Sequence, residues 1–566
     1  MRFIFTSLII LINTNLIGQI VELNTEESFN GYTLFSPLNS TDTYLIDNCG
    51  FLINSWSSLF RPGLSVYLLE DGSLLRTCKV DPDGPKGGRI EKYSWNGELT
   101  WEFDFCDTDV CQHHDIEFLP NGNLLILASE IFDITSTQEA GFDSSSPTIS
   151  EMIIEINPNQ DNEIVWEWHA FDHLVNDNPQ MHQELIWTGL GNQNSNPSGT
   201  DWLHANSIDY NQNLDQIILS VRACSEIWII DHSTTIEEAA NHNGGDYGMG
   251  GDLIYRWGNP NAYNLGSNEN QLSFKQHDAN WIPEGYEHEG DIMIFNNGTG
   301  RGWSSVDIIS PPMDENNNYI VNQNEIIGPE ILTWTYEAEI PTTFFSNAIS
   351  GSTRLENSNT IICEGGPEGM GGARIFEVDL EGNIVWDFHN YGNGNVFRVY
   401  KYGPEYPGLI DKDLTPGQNL SISPNACNIY GCTDINACNY NQFANQNDLS
   451  CLYIGDLCDD GNTNTVDDQI QENCECDGTI NSALDEVEAL SIIIYPNPTS
   501  NNLTIDLGDL NGLNTCIKLY DVSRKLVFKD HTTSTLNIDV SGFAKGLYIV
   551  KLSTDENVAW SQVIID

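Results

Sequence analysis

The chain has 566 residues, with 22 Lys and Arg against 82 Asp and Glu, a formal net charge of −60. That balance excludes nucleic acid and an anionic membrane surface as partners, since both need a basic face, and it makes any anionic substrate awkward in the long-range field. Hydrophobic residues make up 40% and aromatics 10% of the chain, with 14 Trp, so this is no disordered acidic tail, and the length allows two to four domains.

Met1-Arg2 precedes an apolar run from Phe3 to Ile12, and after Ile17-Gly18 the chain turns polar. A positive start, about ten apolar residues and small residues near the end predict a secretory signal over 1–19, too short for a membrane helix. No later stretch approaches a membrane span. Fourteen Cys in an exported chain predict disulfides.

Residues 31–410 carry a repeated pattern of strand, Asp/Asn/Gly turn, strand and Trp. Its copies end at Trp56, Trp101, Trp166, Trp257, Trp334 and Trp386. A second strand-turn-strand pattern precedes many of them, as in "HDIEFLPNGNLLIL" and "ANSIDYNQNLDQIILS". Together the two give four strands per unit, with hairpin signals between them. Six such units predict an all-β chain built on a six-bladed β-propeller. The first unit lacks a strand, and the trailing "NVFRVYKYGPEYPGL" has no Trp unit, so these two are expected to share one blade and close the ring.

Residues 411–426 read as a linker. Residues 427–478 form a Cys- and Asp-rich module holding seven Cys and few apolar residues, so disulfides or a cation must hold it. Within it Asp459, Asp460, Asn462, Asn464, Asp467 and Asp468 surround Gly461, a set of hard oxygen donors that suits structural Ca²⁺; a plain polar turn is the other reading. Residues 490–566 show short strands of a small β-sandwich. The segment resembles the C-terminal sorting domain of the type IX secretion system, through "YPNPTSNNLTIDL", "LYDVSRKLV" and "GLYIVKL". That resemblance implies type IX secretion machinery as a partner and a secreted or cell-surface protein, with no catalytic role for the segment.

Only 12 His occur in the chain. Three segments place them at the start of the inner-strand pattern: "CQHHDIEF" (His113, His114), "DWLHANSIDY" (His204) and "FKQHDANW" (His277). The innermost strand of each blade lines the channel, so these His are expected to converge at one mouth, with Arg222 one strand after His204. Three His alone would suit Zn²⁺, but an adjacent Arg repels it. Imidazoles with a guanidinium suit an oxyanion, and a neutral imidazole is a nucleophile, so the set reads as a transfer site for a sulfuryl or phosphoryl group. The competing reading pairs Arg222 with a carboxylate such as Glu226.

Residues of about 31–405 resemble the arylsulfate sulfotransferases, six-bladed propeller enzymes independent of phosphoadenosyl donors. The carrying stretches are "HHDIEFLPNGNLLIL", "LHANSIDY", "ILSVRACSEIWIID", "QHDANWIPEG" and "RVYKYGPEYPG". The resemblance implies transfer of sulfuryl from an aryl sulfate donor to a phenolic acceptor through a covalent sulfohistidine. It places the nucleophile on His277 and the oxygen-binding groups on His114, His204 and Arg222, with Asn206 and His113 as flanking substrate-binding groups. No metal or nucleotide is required for that chemistry. The long segments 175–200 and 232–252 are expected to lie over the channel mouth. A non-catalytic surface propeller binding sulfated or glycan ligands is the alternative, and a quinoprotein dehydrogenase a third reading.

Overall fold

The computed structural model describes the chain except residues 1–18, 82–86, 143–144, 177–179, 189–200, 368–370, 393, 422–429, 441–445, 448, 459–461, 463–464, 472, 481–491, 523 and 555–557. The predicted signal therefore lies outside the described residues up to position 18. The chain divides into two compact units, Met1–Tyr430 with Phe443–Gln446, and Gly431–Gln442 with Asn447–Asp566.

The first unit is the six-bladed propeller. Strands Tyr32–Phe35, Asp42–Ile46 and Leu52–Ser57 make the first blade, and Tyr400–Tyr402 from the far end of the unit adds its innermost strand. Tyr32 pairs with Tyr402 and Leu34 with Tyr400, so the expected ring closure is present. The other five blades are antiparallel sheets whose innermost strands are Arg61–Leu68, Val110–Phe118, Ala205–Asn211, His277–Trp281 and Gly351–Arg354. Strand Gln19–Asn24 pairs with Ile384–Tyr391 as a fifth strand on the sixth blade.

The recurring Trp has a structural reason. Each lies on the outermost strand of its blade and donates its indole N–H to the turn before the outermost strand of the next blade. Trp56 donates to Ser94 O, Trp101 to Asn162 Oδ1 and Trp166 to Thr234 Oγ1, at 2.9–3.1 Å. Trp257 donates to Pro329 O, Trp334 to Leu380 O and Trp386 to Asn48 O, at 2.8–3.0 Å. The sixth bond returns to the first blade, so the belt is cyclic. A Trp suits this place because its ring fills the gap between blades while its N–H needs an acceptor when buried. The hydrophobic clusters likewise run between neighbouring sheets; Trp166, Trp168, Ile218, Trp228 and Ile229 belong to one cluster.

Residues 411–421, read as a linker, run along the first blade. Gly417 N–H donates to Leu52 O, Leu52 N–H to Gln418 O and Leu420 N–H to Gly50 O. Of the segments expected over the channel mouth, 177–179 and 189–200 lie outside the described residues, while 180–188 and 232–252 lie on the rim. Leu253 N–H donates to Glu184 O, Arg256 to Gln183 O and Leu185 O, and Trp168 Nε1–H to Gly251 O, all at outermost strands of the third and fourth blades. Apolar Ile186 and Ala239, on these segments, join the rim core, which draws them outward.

In the second unit three disulfides tie the Cys-rich module, Cys432–Cys451, Cys438–Cys474 and Cys458–Cys476. Cys427 lies outside the described residues, as do Asp459, Asp460 and Asn464 of the expected Ca²⁺ set. Asn462 is exposed, Asp467 and Asp468 sit in strand Thr465–Ile470, and Asp468 O accepts the Cys458 N–H. The last residues form a sandwich. A sheet of Ile493–Tyr495, Asn502–Asp506 and Leu536–Asp539 faces one of Leu526–Thr532, Thr515–Tyr520, Gly546–Ser553 and Val558–Ile565. Leu503, Ile505, Ile517, Leu519 and Val550 fill the space between them.

Candidate functional site

The inner strands are regular until they reach the His residues. Pairing shifts register between Ile126 and Ala128 opposite His114, between Ala205 and Ser207, and between His277 and Asn280. His114 and His204 adopt left-handed backbone (φ 54° and 51°), and Asp278 does so beside His277 (φ 56°). A non-glycine residue there costs about 1–3 kcal/mol, held by the surrounding sheet. Such irregularities re-aim side chains out of the normal alternation, and here they turn His toward the axis.

The imidazoles do gather. The rings of His114 and His204 are 5.1 Å apart, and those of His113 and His114 5.0 Å. The Phe397 ring contacts both His114 (6.1 Å) and His277 (6.2 Å). Arg222 follows the second strand of the fourth blade, where its N–H donates to His204 O. Glu226, its expected competing partner, is bound instead by Arg256. Among the described residues the Arg222 guanidinium has no hydrogen-bond acceptor; burial lowers its pKa and Asp201 opposes that. Asn206 turns its amide to Gln276 O at 2.8 Å, tying its blade to the residue before His277, and its buried Oδ1 has no partner among the described residues.

Hydrogen bonds set the tautomers. Asn297 Nδ2 donates to Ser346 O and Ile349 O, so its Oδ1 must be the acceptor facing His277 Nδ1 at 2.6 Å. The His277 proton is thus on Nδ1, and Nε2, which accepts Ile349 N–H at 3.2 Å, carries the lone pair. His204 donates Nδ1–H to Asp201 Oδ2 at 2.5 Å. Burial raises the Asp201 pKa, but that N–H and the charges of His204, His113 and Arg222 hold it below the usual carboxylate range. His113 donates Nε2–H to Glu151 at 2.8 Å. Burial works against a charge on His113, yet Glu151 outweighs it and the pKa is raised. His113 Nδ1 and His114 Nδ1 lie 2.8 Å apart, so one of the two donates and the other accepts.

One residue further along three segments lies a buried ionic layer. Arg398 pairs with Asp278 at 2.5 Å and also with Asp115 and Tyr67. Asp115 and Asp278 in turn accept the N–H groups of Ile208 and Ser352 on neighbouring blades. Beyond it a cavity of about 740 Å³ is lined by Tyr67, Glu117, Asp209, Trp281 and Tyr400. Burial pushes Asp209 up to about 7 and raises Glu117 as well, so the charge of this carboxyl-rich lining is reduced. A second cavity, about 600 Å³, adjoins the His114 side: it is lined by Leu38, Leu59, Phe60, Pro62 and Leu64 with Arg61 and Lys79. Leu64 pairs with His114 and packs on Phe397. The Cys106–Cys111 disulfide closes the turn just before His113.

The sequence singled out the imidazoles and Arg222 but assigned nothing to Asp201, Glu151, Asn297 or Arg398. The pairing signal was present for Asp201, three residues before His204, and Arg398 lies in a stretch already noted.

A family model described as Arylsulfotransferase (ASST) matches residues 38–385. One described as a secretion system C-terminal sorting domain matches residues 493–566, so the chain is a secreted or cell-surface protein. No curated protein matches the chain. Among solved structures, a luciferin-regenerating enzyme is 9% identical, with 68% of this chain and 100% of that chain covered at TM-score 0.31. Apo AztD from Citrobacter koseri is 7% identical, covering 66% and 99% at 0.32. A putative 6-phosphogluconolactonase from Bacteroides fragilis is 11% identical, covering 67% and 99% at 0.33. No helix among the described residues is long and apolar enough to cross a membrane.

Proposed function

The chain belongs to the arylsulfotransferase family, and on that premise we propose that it moves a sulfuryl group from an aryl sulfate to a phenol through a covalent intermediate on His277. The observation that carries the reading is the fixed tautomer of His277. Asn297 holds the Nδ1 proton, so Nε2 is a nucleophile without deprotonation.

In the first half-reaction the Ile349 N–H gives up its bond to Nε2, the freed lone pair attacks sulfur and the S–O(aryl) bond breaks, its electron pair leaving with the phenolate. A phenolate, with a conjugate pKa of about 10, leaves far more readily than an alkoxide. Arg222 and the N–H of His114 face the sulfuryl oxygens, where charge shifts during transfer. His204, oriented by Asp201, gives the phenolate a proton from Nε2. The intermediate carries an N–S bond and keeps its Nδ1–H on Asn297. An acceptor phenol then gives its proton to His204 and attacks sulfur, which restores His277. The aryl ring suits the apolar cavity at Leu64, and Arg61 and Lys79 at its lining draw an anion into an otherwise acidic protein.

The test is release of 4-nitrophenol from 4-nitrophenyl sulfate with and without added phenol. Acceptor-dependent turnover lost in His277→Ala supports the reading. Wild type and variant equally inert, with a sulfated ligand still bound, would establish a binding propeller instead. Release without acceptor would indicate hydrolysis.

A further inference from the structure

We propose that His173, His242 and Asp252 bind one divalent metal ion of the zinc class on the propeller rim, a site separate from the channel. His173 ends the short turn Ala170–His173 after the outermost strand of the third blade, and Asp252 precedes the outermost strand of the fourth. His242 lies between them on segment 232–252. One nitrogen of each His and one Asp252 oxygen lie within 4.8 Å of one another.

The chemistry of the hydrogen bonds points to a cation. His173 Nε2 lies 2.9 Å from the carbonyl oxygen of Ala239, which only an N–H can satisfy. In neutral His173 the proton is therefore on Nε2, and Nδ1 presents a lone pair. That lone pair faces Asp252 Oδ1 at 2.7 Å, and His242 Nδ1 faces the same oxygen at 2.8 Å. The His173 lone pair and the Asp252 oxygen, two electron-pair donors 2.7 Å apart, need a positive centre between them, and His242 can turn its own Nδ1 lone pair to the same centre. Donation of the second imidazole N–H to a backbone carbonyl is the usual outer support of a metal-bound His.

The surroundings fix this arrangement. His173 is fully buried and stacks on Trp168 (5.7 Å, 4°), whose indole N–H donates to Gly251 O at 2.7 Å. A Cβ on Gly251 would sit 2.0 Å from Ala239 O and 2.7 Å from His173 Nε2, so only glycine lets the imidazole reach its carbonyl. His242 is more than half exposed, which leaves room for water as a further ligand. Two imidazoles and a carboxylate with an open position match a borderline divalent ion rather than Ca²⁺ or Mg²⁺. With bonds of about 2.0–2.1 Å and tetrahedral angles, ligand atoms stand about 3.3 Å apart. Binding therefore opens both contacts to Asp252 Oδ1, 2.7 Å from His173 and 2.8 Å from His242, by about 0.5 Å. Bound in this way, the ion clasps segment 232–252 to the third blade.

Full-length protein dialysed against a chelator is titrated with ZnCl2 by calorimetry, alongside His242→Ala and Asp252→Asn. The wild type is expected to take up one zinc at this site and to gain melting temperature with it. His242→Ala, a surface change that leaves the fold intact, should weaken that uptake by more than the roughly 10- to 100-fold typical of losing an outer partner, and should lose the thermal gain. Zinc held anywhere else on the chain would be unchanged in His242→Ala, so the comparison of the two proteins decides the matter. Equal uptake and equal thermal gain in both proteins overturn the proposal. No uptake by the wild type overturns it too.

Discussion

His277 donates its Nδ1 proton to Oδ1 of Asn297, at 2.6 Å, and Asn297 is held to that role because its own amide donates to two carbonyls. The Ile349 N–H at Nε2 supports the same tautomer. Replacing Asn297 by Asp puts a carboxylate against Nδ1 and stabilises the imidazolium. The His277 pKa rises, so the protonated, inactive form persists to higher pH. In Asn297→Asp the acid limb of kcat/KM is expected to move upward by about one unit or more. An unmoved acid limb would show that this contact does not control the nucleophile.

Asp201 acts through His204. Asp201→Asn keeps the shape but removes the charge that orients the Nδ1–H and supports imidazolium. We expect kcat to fall by about 10²-fold or more, and to fall least with donors whose phenolate leaves most easily, since these need the proton least. A uniform loss across donors would assign Asp201 to structure alone.

The three channel His were legible because each opens an inner strand of the same repeat, and equivalent positions in a propeller meet at the axis. Their supports were not. Glu151 meets His113 across 38 residues and Arg398 meets Asp115 across 283, pairings that depend on neighbouring blades and on ring closure. The Trp repeat gave the number of blades, whereas the N–H acceptors, each a turn in the next blade, carry no common sequence. The rim position of 232–252 was hidden as well, because it follows from the packing of Trp166 and Trp168 rather than from segment length.

The Trp belt predicts a stability effect. Trp386→Phe keeps most of the apolar ring but removes the bond to Asn48 that joins the last blade to the first. Loss of about 1–3 kcal/mol is expected in urea unfolding of the intact chain. An unchanged midpoint would mean that strand Tyr400–Tyr402 closes the ring unaided.

A pH effect follows from His232, which clips the third and fourth blades through Glu155 and Asp215. Burial disfavours its charge, but hydrogen bonds to Asp215 and Glu155 raise the pKa to about 9. A raised folded-state pKa stabilises fully below the unfolded value near 6.5 and ceases to do so as pH rises through about 9. The contribution is about 3 kcal/mol below pH 6.5. Urea midpoints of wild type should therefore fall between pH 6.5 and 9.5, and His232→Gln should remove that part of the slope. Parallel profiles would contradict it.

The most direct measurement is to trap the intermediate. Protein is mixed with excess 4-nitrophenyl sulfate and no acceptor, quenched at alkaline pH and digested for mass spectrometry. The account predicts a burst of one 4-nitrophenol per active site and the mass of one SO₃ on the peptide bearing His277, both absent in His277→Ala. A burst with the added mass on another residue, or acceptor-dependent turnover with no covalent species and no burst, would contradict it.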